Sequence, residues 1–367
     1  MVYAKVEQNA KSADKLILQV GEKNMNQIAC SFAPGFEKII EELIKSRVND
    51  AQKFNVSSGF AYFFSSQNPI EISTSLDFCN NVFLILKDFS SSVQKDFASM
   101  VNKTVTSKFN SSILELGAKD SFRLRFSQSN QFVNVEKQLT IRAENFIQKT
   151  FSLQNDRTGG GKEFWFMTRT DGFAAFAYRM TQKQSTEKRF EQGELRSEFA
   201  LMFVKMAQLP HKGKFVYADP FAGHGSIPKI LSEECSGCTI YASDIDNDLV
   251  GKMAQKFNGN RMIRVRQSDA ANLSFFKDNS VDCVISDPPW GDFEKEIDIP
   301  LLYKKMLIEF DRILKDEGKL CILTGAKNHF EQAVKENKTF SKNSQNPDFK
   351  TDVLVNGKKA SIYLLKK

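Results

Sequence analysis

The chain has 367 residues, 41% of them hydrophobic, and no apolar run of the ~18 residues that a membrane-spanning helix needs, so at least two domains and no membrane span are expected. Six scattered cysteines set aside a disulfide-stapled scaffold and point to a reducing compartment, cytosol or nucleus; residues 1–5 open no secretory segment. The net charge of +7 is uneven: Lys and Arg outnumber Asp and Glu by 25 to 19 over residues 1–190 and by 26 to 25 after them, which suggests that the first half holds a polyanion.

Taken in chain order, residues 26–32 read as a strand, and Ala33-Pro34-Gly35-Phe36-Glu37 opens a helix whose Phe36, Ile39, Ile40, Leu43 and Ile44 recur at helical spacing. Residues 59–64 and 82–89 read as strands, with a helix or loop over 70–80. That β-α-β-(α)-β order predicts a small ferredoxin-like domain. Residues 122–126 alternate apolar and basic, as a half-exposed strand would; 133–151 predicts a helix, and 163–168 and 173–179 predict strands. Gly159-Gly160-Gly161 reads as a flexible turn and 183–189 as a polar linker.

The chemistry-bearing motifs come next. Residues 214–218 predict a buried strand that runs into Asp219-Pro220-Phe221-Ala222-Gly223-His224-Gly225-Ser226 and then a helix. Glycines between strand and helix let a ligand approach the backbone. The acid ahead of the glycines, and the absence of a third glycine at dinucleotide spacing or of a following Gly-Lys-Ser/Thr, fit S-adenosyl-L-methionine rather than a phosphate ligand. Residues 239–244 predict a strand ending in Asp244, placed to accept from ribose hydroxyls; 262–267 predict another, followed by Asp269, placed to accept from an adenine amine. After the apolar run 281–285 comes Asp287-Pro288-Pro289-Trp290-Gly291. An acid, stiff prolines with outward carbonyls and an aromatic suit methyl transfer to an exocyclic amine of a planar base. Asp287 and the Pro288 carbonyl would hold the amine, and Trp290 would keep the ring flat. His211, His224 and His329 are isolated and Cys235-Ser236-Gly237-Cys238 has no second pair, so no metal site is expected. Residues 300–314 predict a helix, 320–324 a buried strand, 352–365 a hairpin around Asn356-Gly357, and the Lys/Asn/Ser-rich stretch 335–350 a surface loop able to touch RNA.

DPFAGHGS, SDID, SDA and SDPPWG, in that order, resemble the amino-methyltransferase branch of the Rossmann-like S-adenosylmethionine-dependent methyltransferases. Residues 32–37, 75–89 and 193–200 are similar to the N-terminal and linker segments of the THUMP-containing RNA methyltransferases, with Ser197 where that family has proline; residues 105–182 match THUMP weakly. The resemblance implies an α/β chain: an N-terminal ferredoxin-like domain over 1–100, a THUMP-like RNA-binding domain over 101–182, a linker over 183–212, and a Rossmann-like methyltransferase domain over 213–367. That last domain would hold a seven-stranded sheet closed by an antiparallel C-terminal hairpin. It implies Asp219, Phe221, Gly223, Gly225, Asp244 and Asp269 around the cofactor, and Asp287, Pro288, Pro289 and Trp290 at the target amine. It further implies guanine N2 of the tRNA acceptor stem as target and a small zinc-ribbon methyltransferase activator as partner. A D-P-P-W loop serves adenine N6 as readily as guanine N2. Other RNAs, and a non-catalytic RNA-binding subunit, stay open at this point.

Overall fold

The computed structural model describes residues 25–110, 114, 116–117, 120–157, 161–181, 194–291, 296–346, 349–355 and 357–367. The linker expected over 183–189 and the glycines Gly159 and Gly160 lie outside them. Two units divide the chain: Met1–Phe32 with Ile40–Glu187, and Ala33–Ile39 with Lys188–Lys367.

The first unit begins β1 (Asn26–Ser31), α1 (Glu37–Arg47), β2 (Gln52–Ser57), β3 (Phe60–Ser65), α2 (Pro69–Ser75) and β4 (Asn81–Asp88). Its strands lie in the order β2-β3-β1-β4, with β1 antiparallel to both β3 and β4. This is the βαββαβ ferredoxin-like arrangement. Sequence reading missed β2, an edge strand whose alternation is short: only Phe54 and Val56 are apolar, between Lys53, Asn55 and Ser57. Then follow α3 (Phe97–Val105), β5 (Ser121–Gln128), β6 (Gln131–Phe132), α4 (Lys137–Phe151), β7 (Gln154–Asn155), β8 (Lys162–Thr168) and β9 (Ala174–Arg179). Strand β9 pairs antiparallel with β4, so one sheet runs unbroken across residue 100 in the order β2-β3-β1-β4-β9-β8-β5-β6. Many of the phenylalanines sit in its core: Phe166 packs on Phe176 at 4.6 Å and on Phe126 at 5.4 Å between ring centroids. Gly161 is a close-packing position rather than a flexible turn, since a Cβ there would fall 2.6 Å from the Ser121 carbonyl oxygen.

The second unit holds α5 (Ser197–Met206), β10 (Val216–Asp219), α6 (Ser226–Glu234), β11 (Thr239–Asp244), α7 (Asn247–Lys256), β12 (Ile263–Gln267), β13 (Val281–Ser286), α8 (Ile299–Ile313), β14 (Leu314–Thr324), α9 (Lys327–Glu336), a 3-10 turn (Phe340–Gln345), β15 (Lys350–Val355) and β16 (Lys358–Lys366). Its seven strands lie in the order β12-β11-β10-β13-β14-β16-β15. Strands β10 to β14 pair in parallel; β16 returns antiparallel to β14 and β15 antiparallel to β16. The segment read as a linker holds α5, nearly all of it buried (Phe199, Ala200, Leu201, Met202, Phe203, Val204, Met206). Six apolar residues in a row, Phe199 to Val204, leave little 3.6-residue contrast, which is why periodicity missed it. The stretch read as a loop over 335–350 instead carries the end of α9 and a 3-10 turn seated by Phe340, which is fully buried.

Candidate active site

Strands β10 and β13 are neighbours at the point where the strand order reverses, and their carboxyl ends form the crevice where open α/β sheets bind ligands. Asp219 ends β10 and Ser286 ends β13. The buried Ser286 hydroxyl donates to Asp219 Oδ1 at 2.5 Å, and the Phe221 amide donates to the same oxygen at 3.3 Å and to Ser286 Oγ at 3.2 Å. Asp219 is 1% exposed, and its Oδ2 accepts no hydrogen bond among the described residues. Burial pushes its carboxyl up to about 8 against those hydrogen bonds, and the nearby acids Asp244 and Asp287 push the same way. A buried acceptor without a donor costs roughly 1–3 kcal/mol, so this oxygen is poised for a cationic or N–H-bearing ligand group.

The turn between β10 and α6 needs its glycines for two different reasons. Both have left-handed backbones, φ +50° at Gly223 and +76° at Gly225. At Gly225 a Cβ would also fall 2.6 Å from the Phe257 ring, whereas at Gly223 it would meet nothing within 4 Å. Gly223 therefore faces open space, and its amide donates to Asp244 Oδ2 at 2.9 Å. The other oxygen of Asp244 accepts from the Asp246 amide at 3.1 Å, so the carboxylate is fixed at the end of β11. Beside it Ile245 is 67% exposed, an apolar surface at the mouth of the crevice. Asp269 follows β12; its Oδ1 closes a local turn by accepting from the Ala271 amide at 2.8 Å, and its side chain is exposed.

Three contacts set the Asp287–Gly291 loop. The Trp290 indole Nε1–H donates to Asp287 Oδ1 at 2.8 Å. The indole lies against Gly325, just past β14, so closely that a Cβ there would stand 2.5 Å from Trp290 Cε3. The hydroxyl of Tyr303, fully buried on α8, donates to the Pro289 carbonyl at 2.8 Å and meets Thr324 Oγ1 at 2.7 Å; Thr324 Oγ1 in turn accepts the Ala326 amide at 3.0 Å. The Pro289 carbonyl is thus occupied, while the Pro288 carbonyl accepts no hydrogen bond among the described residues. The loop that carries the Asp287 carboxylate and the Pro288 carbonyl is thus held at both Pro289 and Trp290.

The structure thus gathers Asp219, Phe221, Gly223, Gly225 and Asp244 around one crevice, with the Asp287–Trp290 loop at the neighbouring strand end. Asp269 stands at the next strand end along, beyond β11. Sequence reading missed Ser286, Tyr303, Thr324 and Gly325. A serine closing an apolar strand and a tyrosine within a Leu/Met/Phe stripe were the available signals for the first two. Gly325 carries no local signal, because its partner is 35 positions away. Cys235 and Cys238 are buried free thiols, and burial pushes Cys235 up to about 11; no group of three or more metal-ligating side chains occurs among the described residues.

Residues 185–353 match the family model of UPF0020, the RMKL-like methyltransferase domain. Among solved structures the chain is similar to TrmN from Thermus thermophilus, at 18% identity over 94% of this chain and 99% of that one, with a TM-score of 0.74. It is also similar to a predicted N6-adenine-specific DNA methylase from Listeria monocytogenes (16% identity, 95% and 97% covered, TM-score 0.66). A third is SMU.472 complexed with SAH (15% identity, 93% and 98% covered, TM-score 0.65). No curated protein matches the chain. The fold is that of the S-adenosylmethionine-dependent methyltransferases, and the stretch that matches the RMKL-like model holds the crevice and the Asp287–Trp290 loop.

Proposed function

We propose that the chain methylates an exocyclic amine of a nucleobase in RNA, with guanine N2 in the tRNA acceptor stem as the target, and that a small zinc-ribbon subunit activates it. The observation that carries the reading is the Asp287–Trp290 loop at the end of β13, where the Trp290 indole holds the Asp287 carboxylate and Tyr303 holds the Pro289 carbonyl, beside the crevice of Asp219 and Gly223. The crevice residues fit the cofactor: Asp219 Oδ2 offers a buried acceptor to an ammonium, and Gly223 offers open backbone. Asp244 serves ribose hydroxyls, and Ile245 and Asp269 serve the adenine. When bound, S-adenosylmethionine supplies an electrophilic methyl on a sulfonium.

The chain's own residues supply positioning. The target base leaves its stack, at a cost of a few kcal/mol, and its ring meets Trp290. Its two amine hydrogens go to Asp287 and the Pro288 carbonyl, which turns the nitrogen lone pair toward the crevice. Correct near-attack geometry is worth about 7–11 kcal/mol, so stiffness of the loop matters more than acid–base strength. The tRNA target rests on the resemblance of residues 32–37 and 75–89 and on the basic first half. Adenine N6 is the second reading, favoured by the similarity to the Listeria protein and by a loop that reads only the amine. Asp287→Ala should abolish methyl transfer to RNA while S-adenosylmethionine still binds by calorimetry; full activity in that variant would remove Asp287 from the site.

A further inference from the structure

A second polar site lies in the same unit at the other end of the sheet. Lys338, Lys342, Lys366 and Lys367, with Thr339 and Asn343, line a concavity of about 500 Å3 whose lining holds no Asp or Glu side chain. Its frame is rigid. Asn343 clips the end of β16 by donating to the Lys366 carbonyl at 2.9 Å and accepting from its amide at 2.9 Å. Asn337 caps the turn by accepting from the Thr339 and Phe340 amides, each at 3.0 Å. Lys367 is part of that frame: its ammonium donates to the Asp311 and Leu314 carbonyls at 2.5 and 2.9 Å.

The other three lysines have no structural task of that kind. Lys338 and Lys342 are exposed and make no ion pair among the described residues. Lys366 pairs with Glu317 at 3.2 Å, but both side chains are largely exposed and such pairs are weak, so an anion can take the place of Glu317. Phe340 and Asn337 fix the turn, and neither asks for cations beside it. A pocket of this size with such a lining suits phosphate groups, not an apolar ligand.

Its position decides between a small phosphate and a polymer. Thr324, which abuts the Asp287–Gly291 loop through Tyr303, lies opposite Ser361, and Lys319 lies opposite Lys366. The five residues between these levels span about 17 Å, at ~3.4 Å per residue. A mononucleotide in the crevice cannot reach that far; a polynucleotide can cover both places.

We propose that the Lys338–Lys342–Lys366 concavity is a phosphodiester-binding site that holds the RNA backbone away from the reacting base. The proposal rests on the reading of the active site as acting on RNA. The test is the double variant Lys338→Glu with Lys342→Glu in the full chain, titrated with fluorescent bulk tRNA from low to moderate salt. Loss of two phosphate contacts should weaken binding about tenfold near 0.2 M salt and lower the salt slope by between about 1 and 2. Calorimetric affinity for S-adenosylmethionine and the thermal midpoint should stay at the parent values. A variant that binds tRNA like a binding-competent parent overturns this inference alone. A parent that binds no RNA overturns the reading of the active site with it. Inorganic pyrophosphate that binds the parent but not the variant, with tRNA affinity equal in both, assigns the concavity to a small anion and overturns the proposal.

Discussion

Two residues concentrate the chemistry of the crevice. Asp219 is held up to about 8 chiefly by burial, so in the free chain it is largely protonated at neutral pH. A raised carboxyl pKa means that the ionised form is the costly one. A ligand that donates to Asp219 Oδ2 therefore drives off a proton, and its affinity should rise as pH climbs toward 8 and level off above it. Calorimetry between pH 6 and 9 checks this, with Asp219→Asn expected to flatten the profile; a flat profile in the parent would remove Asp219 from contact with the cofactor. Tyr303 acts at one remove. Removing its hydroxyl leaves the Pro289 carbonyl without its donor, at a cost of roughly 1–3 kcal/mol. Tyr303→Phe should lower kcat about tenfold or more while the affinity for S-adenosylmethionine holds. An equal fall in both would make Tyr303 a packing residue. Of these two, Asp219 was legible from its place before the glycines, whereas the hydroxyl of Tyr303 was hidden inside a helical apolar stripe.

The elements divide along the same physical line. Strands with continuous apolar runs and helices with one apolar stripe announce themselves, as β10, β11, β13 and α8 do. The edge strand β2 and the helix α5 announce themselves less clearly, since β2 alternates over only Phe54 and Val56 and α5 runs apolar without a break from Phe199 to Val204. Gly325 shows the further limit of local reading. It follows β14, and its missing side chain makes room for Trp290 of the loop after β13. Gly325→Ala must push the indole aside, and a displacement of about 1 Å at a reacting centre can cost about 100-fold in rate. Its measured kcat should fall by at least tenfold with the thermal midpoint near the parent value; unchanged turnover would show that Trp290 does not orient the base.

At the scale of the molecule, one unit carries a ferredoxin-like arrangement extended by β5 to β9 into a single sheet, and the other carries the methyltransferase fold. The crevice sits where the strand order of the second unit reverses. Charge, motif order and hairpin signal were legible because each is local in sequence. The pairing of β9 with β4 was not, since it joins segments about 90 residues apart. The central claim, methyl transfer to a nucleobase amine, is tested most directly by incubating the chain with labelled S-adenosylmethionine and total RNA, with and without the zinc-ribbon partner, and then analysing the nucleosides. The account predicts label in N2-methylguanosine of the tRNA fraction. Label on a ring nitrogen, on a ribose or on no RNA at all, from a chain shown to bind the cofactor and supplied with the partner, would contradict it.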